Sequence, residues 1–148
     1  MLDVVALGEL LIDFAPLSAD AAGYPALQAN PGGAPGNFLA ALAACGKRAA
    51  LLAKVGDDAF GRLLVRTLAG AGIETRGVRT DPTAFTTLAF VTLDAHGERS
   101  FSFARKPGAD TRLTWDEVDR ALLDEAQVFH FGSLSLTDEP ARTATRRA

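Results

Sequence analysis

The sequence predicts an α/β protein built on a parallel sheet, and three observations carry this prediction. Short apolar runs that end in glycine recur at 4–8, 49–56 and 128–132, as is typical of strands buried on both faces. Segments of good helix formers lie between these runs, and the links are short. Alternation of strand and helix with short links favours a parallel sheet with right-handed crossovers.

The composition is that of one soluble globular domain. The 148 residues are 48% hydrophobic and 22% charged, with a net charge of -3 and one cysteine. These values exclude a disordered chain and an internal disulfide. The negative net charge does not favour binding to nucleic acid or to an anionic membrane. No apolar run is long enough to span a bilayer, and Met1 leads into a strand pattern without a charged leader. We therefore expect a cytoplasmic protein without nucleic-acid or membrane partners.

An acidic residue stands near the end of the first extended stretch. Residues 9–14 continue the run at 4–8 and place Asp13 between Ile12 and Phe14. A carboxylate in such surroundings is costly to bury without partners. Either Asp13 points to solvent on an alternating strand, or it accepts hydrogen bonds from ligand hydroxyls.

A glycine-rich turn then leads into the first predicted helix. Gly32 and Gly33 let the backbone approach a ligand with no side chain in between. Pro35 suits the first turn of a helix, and residues 38–45 are good helix formers. Asn37 is thereby placed near a helix N-terminus, where free N–H groups favour a hydroxyl or an anion. An ordinary strand-to-helix loop fits the same pattern.

The middle of the chain predicts a second strand–helix unit and then a hairpin. Asp57 or Asp58 is expected to cap a helix over 59–69, and a short strand follows near Val78. Two β-rich stretches within 86–105, separated by a turn signal at 94–97, predict a hairpin. Because a hairpin among strand–helix units need not join the main sheet, we expect a separate, mobile flap.

The last third predicts two more helices around one strand. Thr114 and Glu117 have the spacing of a capping box that starts a helix, with Leu122 on its inner face. The strand over 128–132 follows, and Asp138 begins the final helix. No phosphate-binding loop, dinucleotide fingerprint or histidine pair with metal-ligand spacing is present, so we expect no metal site.

Together these segments resemble the ribokinase-like carbohydrate kinases, or phosphofructokinase-B family, and within it the fructokinases. The resemblance covers nearly the whole chain, and it depends on the order and spacing of seven segments: 8–14, 32–37, 54–61, 86–91, 97–99, 101–105 and 129–136. It implies a ribokinase-like three-layer α/β fold with a parallel central sheet and a small β-lid. The lid segments would lie near 11–31 and 86–105.

The resemblance also implies a site for a small-molecule sugar. The residues that it points to as sugar-binding are Asp13, Gly32, Gly33, Asn37 and Arg105. Asp13, Gly33 and Asn37 would hold the sugar hydroxyls, and Arg105 would close over them. It further implies a lid that excludes water during the reaction and through which two copies associate as a homodimer.

Members of the resembled family are about twice as long as this chain. Their second half carries a Gly-Ala-Gly-Asp-type turn, whose aspartate deprotonates the sugar hydroxyl, and the ATP pocket. We therefore expect residues 1–148 to be the sugar-binding part, without the ATP-binding half and without a catalytic residue. The full-length enzyme would use ATP and Mg²⁺.

Three functions stay open at this stage. The first is a fructokinase-like sugar kinase that transfers the γ-phosphate of ATP to a hexose hydroxyl. The second is a 2-keto-3-deoxygluconate kinase of the same family. The third is a non-catalytic sugar-binding or assembly module.

Overall fold

The computed structural model describes residues 1–93 and 96–148. Its strands are β1 (Leu2–Leu7), β2 (Leu11–Pro16), β3 (Leu27–Gly32), β4 (Ala49–Gly56), β5 (Val78–Asp81), β6 (Leu88–Leu93), β7 (Arg99–Ala104) and β8 (Ala126–Phe131). Its α-helices are α1 (Ala34–Ala44), α2 (Ala59–Gly70), α3 (Arg120–Glu125) and α4 (Ala141–Arg147). Across the described ranges, no helix has the length and apolarity needed to cross a membrane.

Four strands form the predicted parallel sheet, in the order β5-β4-β1-β8. Both neighbours of the central strand β1 run parallel to it, with Val4 opposite Ala49 on one side and Val128 on the other. Strand β4 is buried along its whole length, as its apolar run predicts. The parallel sheet is therefore confirmed.

Alternate residues of the parallel sheet pack into two separate hydrophobic cores, one on each face. Val4 and Ala6 belong to a cluster on the face covered by α1 and α2, which contribute Leu39 and Leu64. Val5 and its alternate neighbours pack into a second cluster on the other face, with residues from the 3-10 turns, α3 and α4. Because successive side chains of a strand point to opposite faces, the sheet is the middle of three layers.

The hairpin lies outside this sheet, as predicted. Strands β6 and β7 join β2 and β3 in a second sheet, in the order β3-β2-β6-β7. Phe14 on β2 stacks on Phe90 with 5.2 Å between ring centroids and packs edge-on against Phe60 of α2 at 5.8 Å. This second sheet, here called the lid sheet, is thus fixed to α2 at its base. The predicted turn at 94–97 falls partly outside the described residues.

The helix predicted from Thr114 is wrong in its extent. The capping box is present, but it heads only a 3-10 turn over Trp115–Glu117, and Val118 is extended with φ -66° and ψ 125°. The carbonyl of Glu117 accepts a hydrogen bond from Nε of Arg79 at 2.6 Å, so it does not continue a helix. The contact with β5 overrides the local helix signal, and α3 begins only at residue 120.

The last strand is also not buried on both faces, contrary to the prediction. Strand β8 pairs only with β1 among the described strands, and Val128 and Phe131 are 55% and 46% exposed. His130 is half-buried and its ring lies 4.3 Å from that of Phe38. An apolar run indicates a strand, but it does not say whether a second strand and a second layer cover it.

A buried ion network joins β4 to β5. The ammonium of Lys54 lies 3.3 Å from Oδ2 of Asp81 and 2.7 Å from Oε1 of Glu117. The other carboxylate oxygen of Asp81 accepts hydrogen bonds from the N–H and hydroxyl of Thr83. Lys54 and Asp81 are almost fully buried, so this network holds charges that water does not reach.

Trp115 lies in the layer on the other face of the parallel sheet from α1 and α2. The guanidinium of Arg147 on α4 lies 5.0 Å from its ring centroid, and that of Arg120 lies at 5.9 Å. These cation–π contacts connect the 3-10 turn to both helices of this layer.

Candidate functional site

Asp13 lies on β2, in the middle of the lid sheet, opposite Asn30 on β3 and Ala89 on β6. Its carboxylate is half-buried and makes no hydrogen bond within residues 1–93 and 96–148. Burial raises the pKa of Asp13 above its ordinary value. A partly desolvated carboxylate without a protein partner is suited to accept hydrogen bonds from a ligand.

A cavity of about 420 Å³ opens beside this carboxylate. Its polar lining comes from Asp13, Asn30 and Arg99, and the lid strands add apolar residues such as Val91 and Phe101. Such a mixture of a few polar groups on an apolar surface is typical of small-molecule sites. The cavity is therefore the candidate sugar site.

The glycine turn packs directly against Asp13. A Cβ at Gly32 would collide with Oδ2 of Asp13. Gly33 has φ +106°, and a Cβ there would lie 2.5 Å from the carbonyl oxygen of Glu9. Gly33 is thus required by close approach to backbone and by a conformation that L-residues rarely adopt. At Gly32 a Cβ would displace the Asp13 carboxylate.

Asn37 lies in the first turn of α1, where its N–H donates to the carbonyl of Gly33 at 3.0 Å. Its side chain is exposed and lines a smaller cavity between α1 and α2, together with Gly32 and Leu10. The structure therefore places Asn37 and Asp13 on either side of Gly32, and does not bring them into one cavity.

Arg105 lies where β7 leaves the lid sheet, and its side chain is only 9% exposed. Its Nε donates to Oδ2 of Asp110 at 2.8 Å, Nη1 donates to Oγ1 of Thr137 at 2.9 Å, and Nη2 donates to the carbonyl of Leu134 at 3.0 Å. The guanidinium thus ties the exit of the lid to the segment after β8, and it does not line the Asp13 cavity.

Glu9 was not singled out from the sequence, although it lies inside the first segment of the resemblance. It is 6% exposed, and its Oε1 accepts a hydrogen bond from the N–H of Ala34 at 3.2 Å. Burial raises the pKa of Glu9, and it outweighs the backbone N–H groups of Glu9 and Ala34, which favour the charged carboxylate. A signal existed: the N-cap position before α1 is Gly33, which offers no side chain as a cap, so a side-chain cap has to come from elsewhere.

Comparison with known proteins identifies the family of this chain. Residues 1–147 match the pfkB family carbohydrate kinases. Fructokinase-1 of Zea mays is 50% identical over 147 residues, which are 98% of this chain and 46% of that protein.

Solved structures agree as well. The crystal structure of fructokinase from Xylella fastidiosa superposes with a TM-score of 0.92 at 37% identity, covering 99% of this chain and 46% of that one. A candidate ribokinase II from E. coli in complex with ATP and Mg²⁺ gives 0.85 at 29% identity, covering 99% and 48%.

The chain thus spans about half the length of the relatives that it matches. The ribokinase-like fold and the resemblance stated from the sequence are both confirmed by these matches. The chain belongs to the pfkB family of carbohydrate kinases.

Proposed function

We propose that this chain is the sugar-binding and lid part of a fructokinase-like kinase, which transfers the γ-phosphate of ATP to a hexose hydroxyl. The observation that carries the proposal is the half-buried carboxylate of Asp13, which has no partner among the described residues and faces a cavity under the lid sheet. The fructokinase relatives support the choice of sugar.

The residue types suit this chemistry. One carboxylate accepts two hydroxyl hydrogens. The resemblance adds the amide of Asn37, which both donates and accepts, although Asn37 lines the smaller cavity and not that of Asp13. Closure of the lid sheet over the sugar would exclude water and protect ATP from hydrolysis. ATP and Mg²⁺ would be bound mainly by residues outside this chain. We propose that two copies of the chain associate through the lid sheet, where Phe101 and Phe103 are exposed.

Replacing Asp13 tests the proposal. We expect Asp13→Ala to weaken fructose binding by about ten- to a hundredfold, because each hydrogen bond to a charged group contributes about 1.5–3 kcal/mol. Asp13→Asn should lose nearly as much, since it replaces an acceptor oxygen with a donor. Calorimetric titration of the protein that carries this chain would measure both. Asp124→Ala, at an exposed acid on α3, is the control, and unchanged affinity in Asp13→Ala would refute the site.

A 2-keto-3-deoxygluconate kinase is the second candidate, because Arg99 lines the cavity beside Asp13. That substrate carries a carboxylate, which a guanidinium would bind. The same titration decides between the two: tighter binding of the keto acid, lost in Arg99→Ala, would favour this candidate over fructose.

We expect the 148-residue chain by itself to have no phosphotransfer activity. Transfer from ATP needs donors aimed at the moving phosphate and a base for the sugar hydroxyl, and Asp13 is assigned to binding the sugar. A coupled assay of ADP release with fructose, glucose and ribose would check this. Sugar-dependent turnover that disappears in Asp13→Ala would show that these residues are sufficient.

A further inference from the structure

Glu9 occupies the junction between the parallel sheet and the glycine turn. It follows β1, the strand that both cores bury, and lies beside Gly132 at the end of β8. A Cβ at Gly132 would be 2.7 Å from Oε2 of Glu9 and 2.9 Å from the ring of Pro35. The absence of a side chain at Gly132 therefore leaves the space that the Glu9 carboxyl fills.

The carboxyl of Glu9 takes the place of the missing cap of α1. An N-cap side chain normally accepts a hydrogen bond from the N–H of the second or third helical residue, and Gly33 has no side chain to do so. The free N–H that is satisfied here belongs to the first helical residue. Oε1 of Glu9, 25 residues earlier in the chain, accepts from Ala34 instead. The start of α1 is thereby attached to the buried segment that joins β1 to β2.

The second oxygen of Glu9 shows that the arrangement does not serve stability alone. Oε2 is buried and is without a hydrogen-bond partner in the part of the chain that the structure describes. A buried polar atom without a partner is costly, whereas a serine or aspartate at position 33 would cap α1 without that cost. Such a side chain is excluded at 33 because φ is +106° and a Cβ would lie 2.5 Å from the carbonyl oxygen of Glu9.

We propose that Glu9 is a positioning residue of the sugar site: it fixes the bare Gly32-Gly33 turn, and with it Asn37, to the end of β1. This inference rests on the proposed function. Glu9 acts through the turn and through α1, while Asp13 acts on the sugar directly. The Glu9 carboxyl and the two glycines thus act together: Glu9 bonds the start of α1 from a distant position, so the turn itself can remain without side chains.

Three replacements of Glu9 separate positioning from charge. Glu9→Gln keeps an oxygen for the Ala34 N–H, so fructose affinity should stay within about threefold of the wild type. Glu9→Asp keeps the charge but is one methylene too short for a bond that is already 3.2 Å long. Glu9→Asp and Glu9→Ala should therefore weaken fructose binding by about tenfold or more.

Calorimetric titration with fructose is the first measurement, on the protein that carries this chain. Hydrogen exchange at the Ala34 amide is the second, and protection should fall in Glu9→Asp and Glu9→Ala but persist in Glu9→Gln. Ile73→Val is the control for stability, since it trims a buried side chain away from the turn and should bind fructose like the wild type.

The outcomes are distinct. Glu9→Asp that binds fructose as tightly as the wild type, or Glu9→Gln that binds as weakly as Glu9→Ala, would overturn the inference. If Glu9→Ala does not fold, the difference in fructose affinity between Glu9→Gln and Glu9→Asp still tests the inference. A wild-type protein that binds no sugar would instead overturn the proposed function, and amide exchange at Ala34 would still test the cap.

Discussion

Replacing Asp81 with alanine is expected to lower the free energy of unfolding by about 3–5 kcal/mol. Asp81 is 2% exposed, and its carboxylate lies 3.3 Å from the ammonium of Lys54 and 3.0 Å from Nε of Arg112. The replacement would leave the Lys54 ammonium with only Glu117 and the carbonyl of Arg112 as partners among the described residues. It would also remove the acceptor for the N–H groups of residues 83 and 84. Urea denaturation would measure the loss.

Two further replacements calibrate this effect. Asp81→Asn can keep one oxygen as acceptor for the N–H groups of residues 83 and 84, but it loses the charge and places an amide donor beside Lys54 and Arg112. We therefore expect an intermediate loss. Asp57→Ala removes an exposed ion pair with Arg62, and pairs of that kind contribute about 0–1 kcal/mol. If Asp81→Ala costs no more than Asp57→Ala, the buried network does not stabilise the fold.

The same carboxylate predicts a dependence of stability on pH. Burial by itself raises the pKa of Asp81, but the hydrogen bonds from Ala84, Thr83 and Lys54 outweigh burial and hold the pKa well below its usual range. Its contribution is therefore fully present above the unfolded pKa of about 3.9 and is lost as the pH falls from there towards the folded value. Asp81→Asn should lose less stability than the wild type over that acidic range, and equal losses would contradict the assignment.

Replacing Gly33 with alanine is the second large expected effect, and it acts on the site. The added Cβ would lie 2.5 Å from the carbonyl oxygen of Glu9, which is backbone and cannot move aside cheaply. The positive φ adds strain of about 1–3 kcal/mol. We expect the turn to be displaced, with fructose affinity reduced by more than about tenfold and a lowered melting temperature.

Gly72→Ala is the matched control for Gly33→Ala. Gly72 also has a positive φ, +77°, but a Cβ there would meet no atom within 4 Å. It therefore carries the backbone strain without the collision, and it lies at the end of α2, away from Asp13. Equal losses of fructose affinity in the two variants would show that close packing at Gly33 is not what holds the turn.

Local signals in the sequence predicted much of the fold. The apolar run at 49–56 corresponds to β4, and Asp58 caps α2 through the N–H of Gly61, as its spacing indicates. These features depend on neighbouring residues. The break at Val118 depends on Arg79, 39 positions earlier, and no local pattern reports such a contact.

The site divides in the same way. Asp13 and the two glycines stand out in the sequence because an acid among apolar residues and a paired glycine are locally unusual. Glu9 follows the strand run just as plainly, but its role appears only when Ala34 is brought next to it. Arg105 pairs with Asp110, five residues on, but its other partners come from a distant segment at 134–138, so its buried position could not be predicted.

The two arginines that contact the ring of Trp115 affect the tryptophan fluorescence of the protein. This is the only tryptophan in the sequence, so all indole fluorescence arises between α3 and α4. Emission will change when α4 leaves the parallel sheet and the guanidinium of Arg147 moves off the ring. The lid sheet contains no tryptophan, so a movement of that sheet would leave this emission unchanged. Tryptophan fluorescence will therefore report on the layer of α3 and α4, and the lid sheet needs a separate probe.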